Sequence, residues 1–189
     1  IPFIDGSRPN PIEPYAVRFV SNGKLQVDMI KRHSAYQYEF LSDDTQDYIL
    51  EKIQELLDLK WIESRQAHLD ETVVATLLNL NRYILKLIQN FDFTKTIPKM
   101  VVIDTTEAMF SLADCILITF LNLVGFDIVV FTPTGYRNLE KYIRPEAYES
   151  YTIGDYCYNL AVPQLQIPPE GEPKREKGLF QKIFGKGRK

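Results

Sequence analysis

The sequence predicts an α/β protein built in three layers around short parallel strands. Two continuously apolar runs, "MVVID" at 100–104 and "FDIVVF" at 126–131, flank a segment apolar nearly all round its helical circumference. Uninterrupted apolar strands of this kind are buried on both faces, as in parallel sheets covered by helices. A third segment, "YTIGDYCYNLAV" at 151–162, reads as a further strand with Gly154 at a bend. Residues 99–162 are thus expected to run β-α-β-α-β, with parallel strands and right-handed crossovers in a Rossmann-like layout. A β-hairpin and two helices are expected before them.

In chain order, residues 1–14 are rich in Pro, Gly, Asn and Ser and read as an irregular lead-in. In "YAVRFVSNGKLQVDMI", Val17, Phe19 and Val20 precede Asn22-Gly23, and Leu25, Val27 and Met29 follow it. Asn-Gly between alternating runs is a strong hairpin signal. A helix then starts near Asp44 or Thr45, with Ile49, Ile53 and Leu56 at helical spacing and Asp47, Glu51, Gln54 and Asp58 outward. For the second helix, Asp70 is the expected N-cap, with Leu69 and Val74 placed as a hydrophobic staple. Its apolar stripe runs Val73, Leu77, Leu80, Ile84, Leu87, Phe91, and Asn79, Arg82, Lys86 and Gln89 lie opposite.

The helix between the two apolar strands carries one polar line: Glu107, Ser111, Asp114 and Asn122. It should be sandwiched, and Gly125 should end it as a left-handed residue. Thr134 is expected to cap a short helix with Leu139, Tyr142 and Ile143 inward. Tyr156 and Tyr158 are expected on a strand face packed against a helix. The domain is expected to span 15–162. Residues 163–177 are proline-rich and charged, a flexible linker by composition. In 178–189, Leu179, Phe180, Ile183 and Phe184 would share one face of a short helix, with Lys182, Lys186, Arg188 and Lys189 supplying positive charge. Such a basic amphipathic tail suits a weak contact with an anionic membrane or a partner groove; a disordered solubilising tail is the plainer alternative.

The 189 residues suffice for one packed domain, and apolar (45%) and charged (25%) fractions are those of a soluble globular protein. A net charge of -3 argues against a nucleic-acid-binding surface, so no nucleic acid is expected. The longest apolar stretch, 115–124, is far short of the roughly 20 residues of a membrane span. Cys115 and Cys157 form no C-x-x-C pair and no Cys/His cluster, so no metal site is read and buried reduced thiols in the cytoplasm are expected. The absence of an initial Met suggests a fragment of something longer.

The residues that point to a site are small and polar. Asp104, Thr105 and Thr106 follow the first apolar strand; Thr132, Pro133, Thr134, Gly135 and Tyr136 follow the second. In a parallel unit both exits lie on the carboxyl edge, where ligands bind. If the strands are neighbours, two polar loops share one volume, each at a helix N-terminus that attracts anions. Asp104 could hold a ribose hydroxyl, a metal or a proton, with Arg137 and Lys141 as helpers. The plainer alternative is that the threonines cap helices and Pro-Thr-Gly is a turn. His33 and His68 read as lone surface histidines, and no P-loop, G-x-G-x-x-G or G-x-S-x-G is present. Catalytic residues and cofactors stay unknown.

The stretch "VVIDTTEAMFSLADCILITFLNLVGFDIVVFTPTGYRNLEKYI" resembles the C-terminal part of the bacterial YceG-like family, closely over 102–143 and loosely on either side. That family is described as a component of a biosynthetic module and is encoded beside tellurite-resistance (Ter-type) genes. The resemblance implies a bacterial, cytoplasmic protein of a stress-response context. It implies work on a small anionic or nucleotide-like ligand, carried here onto Asp104, Thr132, Thr134, Gly135 and Tyr136, and other Ter-system proteins as partners. Nothing in the residues resembles a thiolate or metal cluster that would reduce or chelate tellurite. A non-catalytic interaction module, tethered by the basic tail, is the alternative.

Overall fold

The structure is a computed structural model and describes residues 9–92, 95, 97–105 and 110–160. A 3-10 turn, Glu13–Tyr15, leads into α1, Ala16–Phe19, and a minimal hairpin of β1, Val20–Ser21, and β2, Lys24–Leu25. Asn22 (φ 52°) and Gly23 (φ 73°) turn it with both residues left-handed, the combination that suits Asn-Gly. The expected strands are much shorter than the alternation suggests. Their outer halves are helical instead: α1 before the turn and α2, Val27–Lys31, after it. An isolated two-stranded hairpin is marginal. This one is held by Gln54, whose amide donates to Gly23 O (3.0 Å) and accepts from Leu25 N (2.8 Å). Gln54 is therefore half-buried against the hairpin rather than outward.

α3, Asp43–Leu59, begins where Ser42 Oγ accepts from Thr45 N (3.3 Å), with Asp43 and Asp44 against the positive helix end. Ile49, Leu50, Ile53, Leu56 and Leu57 enter the core, and Lys60 at φ 54° ends the helix. The expected second helix is two: α4, Leu69–Leu77, and α5, Arg82–Gln89. Asn81 breaks the run. It turns extended (φ -70°, ψ 155°), and its side chain caps α5 by accepting from Ile84 N (2.9 Å). The fully buried Tyr38 hydroxyl clamps the break, donating to Leu77 O (2.5 Å) and accepting from Leu80 N (3.0 Å). After it the buried stripe shifts to Leu85 and Ile88, leaving Leu87 exposed. Asp70 is not the cap: left-handed His68 holds that position, and Asp70 sits in the first turn, paired with Lys60 Nζ (3.1 Å).

β3, Lys99–Ile103, and β4, Asp127–Phe131, pair in parallel, with Lys99 opposite Asp127 and Ile103 opposite Phe131. The crossover between them is α6, Leu112–Val124, capped by a Ser111–Asp114 box and closed by Gly125 at φ 111°. Ten of its thirteen residues are buried, so it forms the centre of the molecule, packed on α3, α4 and β4. The protein is thus α/β with a small parallel sheet.

The second helix and third strand of the expected β-α-β-α-β do not form among the described residues. Gly135 stands at φ 69° two residues after Pro133, so no helix starts at Thr134; only two 3-10 turns, Leu139–Lys141 and Pro145–Ala147, follow among the described residues. Residues 149–160 are exposed throughout and form no ladder. Their recorded backbone link is Cys157 N to Pro133 O (2.8 Å), at a residue that has no N–H to extend a ladder. Tyr156 and Tyr158 accordingly face solvent, not a helix. Among the described residues β3 and β4 are covered on one face only, where Val102 is buried and Met100, Ile128 and Val130 pack on the core. Strands buried on both faces were expected; the sequence cannot tell an apolar face that is covered from one left open.

Candidate functional site

The carboxyl ends of β3 and β4 do meet. The ladder runs one residue past β3, with Asp104 N donating to Phe131 O at 2.7 Å, so the two polar exits leave side by side. Asp104 is fully buried there, and Asn138 Nδ2 donates to its Oδ2 at 3.5 Å. Asn138 (5% exposed) and Thr134 (7% exposed) complete a trio of buried polar side chains at this edge. Asn138 was absent from the sequence-predicted set. It lies outside the polar loops, and the one available signal was an Asn just before an apolar turn.

The loop after β4 is a tight turn. Gly135 N donates to Thr132 O (3.0 Å), and Thr134 Oγ1 accepts from Tyr136 N (3.4 Å). Thr134 is therefore a buried turn residue, not a helix cap. A Cβ on Gly135 would stand 2.2 Å from the Tyr156 ring, so glycine admits that ring as well as the backbone angle. Tyr136 is half-exposed and meets Tyr158 edge-on at 6.4 Å. Thr105 and Thr132 are exposed.

The structure thus brings together Asp104, Thr134, Gly135 and Tyr136, places Thr105 and Thr132 on the rim, and adds Asn138. Thr106 lies outside the described residues, as do Leu179, Phe180, Lys182, Ile183, Phe184 and Lys186 of the tail. Among the described residues no helix starts at the site. α6 begins at Leu112, eight positions beyond Asp104, and Ser111 and Asp114 occupy its first amides: Asp114 Oδ2 accepts from Ser111 N (3.0 Å) and Oγ (2.7 Å). Anion binding by a helix dipole is therefore not what this edge offers. It offers a buried carboxylate, a carboxamide, a hydroxyl and turn amides, a set suited to polar hydroxyl or amide groups.

Behind the edge, the Cys115 thiol is fully buried and pushed up to about 12, first by burial and then by the Asp114 and Glu140 carboxylates. It is a packing residue rather than a nucleophile. Cys157, in contrast, is exposed, against the expectation of two buried thiols. Arg137 is exposed and Lys141 Nζ lies over the Tyr142 ring at 4.9 Å. His33 is half-buried between the Tyr15 and Phe19 rings, with Nδ1 accepting from Ala35 N (3.1 Å); His68 is exposed beside Glu71. Among the described residues no group of three or more His, Cys, Asp or Glu could hold a metal ion, and no helix is long and apolar enough to cross a membrane.

No solved structure is significantly similar to the chain. A curated relative, "Uncharacterized protein YceG" of Bacillus subtilis (strain 168), is 25% identical over 190 residues, covering 98% of this chain and 34% of that protein. The chain therefore spans about a third of the length of the curated relative it matches. The YceG domain family matches residues 1–175, nearly the whole chain. The chain belongs to the YceG domain family.

Proposed function

We propose that this chain binds a small anionic or nucleotide-like ligand through that ligand's hydroxyl or amide groups, its charged part directed away from Asp104, at the carboxyl edge of β3 and β4, within a biosynthetic module of a bacterial tellurite-resistance or stress response. One observation supports the reading above others: Asp104, Thr134 and Asn138 are three buried polar side chains gathered where parallel strands deliver ligand-binding loops. Burying polar groups costs stability unless they are paired. A fold that needed only a turn here could use apolar residues. Asp104 and Asn138 would bind ligand hydroxyls or a ring amide; Gly135 and the Thr132–Tyr136 turn would approach closely; Tyr136 would cover one side. The tellurite context rests on the resemblance alone, and a cytoplasmic setting is part of the same proposal.

The test is a thermal-shift panel of ATP, AMP, guanosine nucleotides and inorganic phosphate, each with and without Mg2+. A binder raises the melting temperature by mass action, by about 2.7 kcal/mol of stability at a hundredfold excess over Kd. Asp104→Ala and Thr134→Ala should melt within a few degrees of the parent and lose the ligand shift. If both variants simply unfold, these residues are structural and the reading fails.

A second reading, a non-catalytic interaction module serving other Ter-system proteins, draws support from the exposed apolar surface. Val101, Val129, Phe131, Tyr151, Ile153, Tyr156 and Tyr158 are 42% exposed or more. Single exposed apolar residues are ordinary, but contiguous ones mark contact surfaces. A silent ligand panel, with retention of genomic neighbours on the immobilised chain, would favour this reading.

A further inference from the structure

The two faces of the parallel pair differ. Val102 and its neighbours meet the core, while Val101, Ile103, Val129 and Phe131 on the other face are 64, 37, 47 and 42% exposed. Register sets Val101 beside Val129 and Ile103 beside Phe131, so the four side chains form one continuous patch. Parallel strands are ordinarily covered on both sides, and this patch lacks its second layer among the described residues.

We propose that residues 178–189 of this same chain supply that layer, seating Leu179, Phe180, Ile183 and Phe184 on the outer face of β3 and β4. The spacing of these four puts them on one side of a short helix, matching a patch of four apolar residues in number. The reach is ample. Cys157 N is bonded to Pro133 O, so the described chain leaves beside the carboxyl end of the sheet. The nineteen residue steps from Leu160 to Leu179 can span roughly 60 Å, against about 15 Å for the length of either strand.

Charge favours the same docking. Residues 99–160 hold eight carboxylates and four Lys or Arg, whereas 178–189 hold four Lys or Arg and no carboxylate. Asp127, already paired with Lys99 (2.6 Å), and Glu149 border the patch, beside a shallow hollow that Val101 and Val129 also line; a docked tail would bring Lys182 and Lys186 toward these carboxylates. Tethering makes the contact intramolecular, so a short element too weak to bind from solution can occupy its site. The proposal is independent of the ligand reading and stands or falls without it.

The test pairs Val129→Cys with Phe180→Cys in a Cys157→Ser chain; Val101→Cys replaces Val129→Cys if that variant folds poorly. Cys115 is buried and takes no part. With copper-phenanthroline and air as oxidant, the expected result is an intrachain disulfide at a rate independent of protein concentration. It should form at least tenfold faster than in a Met29→Cys/Phe180→Cys control, and Phe184→Asp should slow it. Ending the chain at Lys177 should raise binding of an apolar dye several-fold. Three results would overturn the proposal. Equal rates in both cysteine pairs mean the tail does not dock. A concentration-dependent interchain product, with a dimer in light scattering, means a second copy covers the face. Unchanged dye binding on truncation means the patch is open or covered by another polypeptide.

Discussion

At the scale of single residues, the two cysteines behave oppositely because their surroundings do. Cys115 has no exposed surface and its thiol is held neutral, while Cys157 lies in the exposed segment after the site. A thiol reagent at pH 8 should label one sulfur per native chain, and Cys157→Ser should abolish that signal; two should react in 6 M guanidinium. Rapid labelling of two in the native state would contradict the burial of α6. Gly135 makes a second residue-scale case. Alanine at φ 69° costs about 1 kcal/mol in backbone strain. Its Cβ must also displace the exposed Tyr156 ring, which can swing into solvent. Gly135→Ala should lower stability by about 1–2 kcal/mol in urea titration while freeing the segment from 149 to 160. Gly135→Asn, a residue tolerant of left-handed geometry, should recover part of the backbone cost.

At the scale of elements, capping decides where helices begin and end. Ser111 receives Asp114 N (3.1 Å) and donates to the buried Asp114 carboxylate (2.7 Å), fixing the first turn of the helix at the centre of the fold. Ser111→Ala should cost about 1–2 kcal/mol, read as a lower urea midpoint at unchanged slope. The box also explains why the helix starts at Leu112 rather than directly after Asp104. It removes a helix N-terminus from the candidate site and places Asp104 in a loop. Asn81 divides α4 from α5 by the same physics. Its side chain supplies an acceptor for Ile84 N, and Tyr38 satisfies the backbone groups the break would strand.

At the scale of the whole molecule, several acidic protons are held by burial. Tyr38 and Tyr36 are pushed above their ordinary value of 10.0, in each case first by burial, and Cys115 moves from 9.0 up to about 12. The folded chain therefore keeps protons that the unfolded chain releases. The stability these groups contribute is complete below about pH 8 and declines as the pH rises through the ordinary thiol and phenol values toward 12. The loss is about 1.4 kcal/mol per pH unit for each proton retained. Urea midpoints should be flat from pH 7 to 8 and fall steeply above pH 9.5. Tyr38→Phe, which removes one such proton, should flatten the fall; it should also lower stability at pH 7, since Leu77 O and Leu80 N lose their partner. A midpoint that stayed flat through pH 11 would show that these groups ionise as readily in the folded chain as in the unfolded one.

Much of the local structure was determined by the sequence alone. The Asn22-Gly23 turn, the helical face of Ile49, Ile53 and Leu56, the all-round apolar α6 closed by Gly125, and the parallel pairing of "MVVID" with "FDIVVF" are local or near-local signals. Chain geometry enforces each of them. The meeting of Asp104 with the Thr132–Tyr136 turn followed from that pairing. Tertiary structure decided what depends on partners far along the chain. Val17 and Val27 fit strand alternation but lie in helices, because the hairpin is held at its turn by Gln54 of α3. Leu80 continues a helical stripe, yet the chain breaks at Asn81 because Tyr38, from another segment, bonds across the break. Asn138 joined the site through a bond to Asp104, thirty-four residues earlier. Val101 and Val129 read as buried, but no described residue covers them. Periodicity records which face a residue occupies, whereas burial requires a second surface to cover that face, and only the assembled fold shows whether one is there.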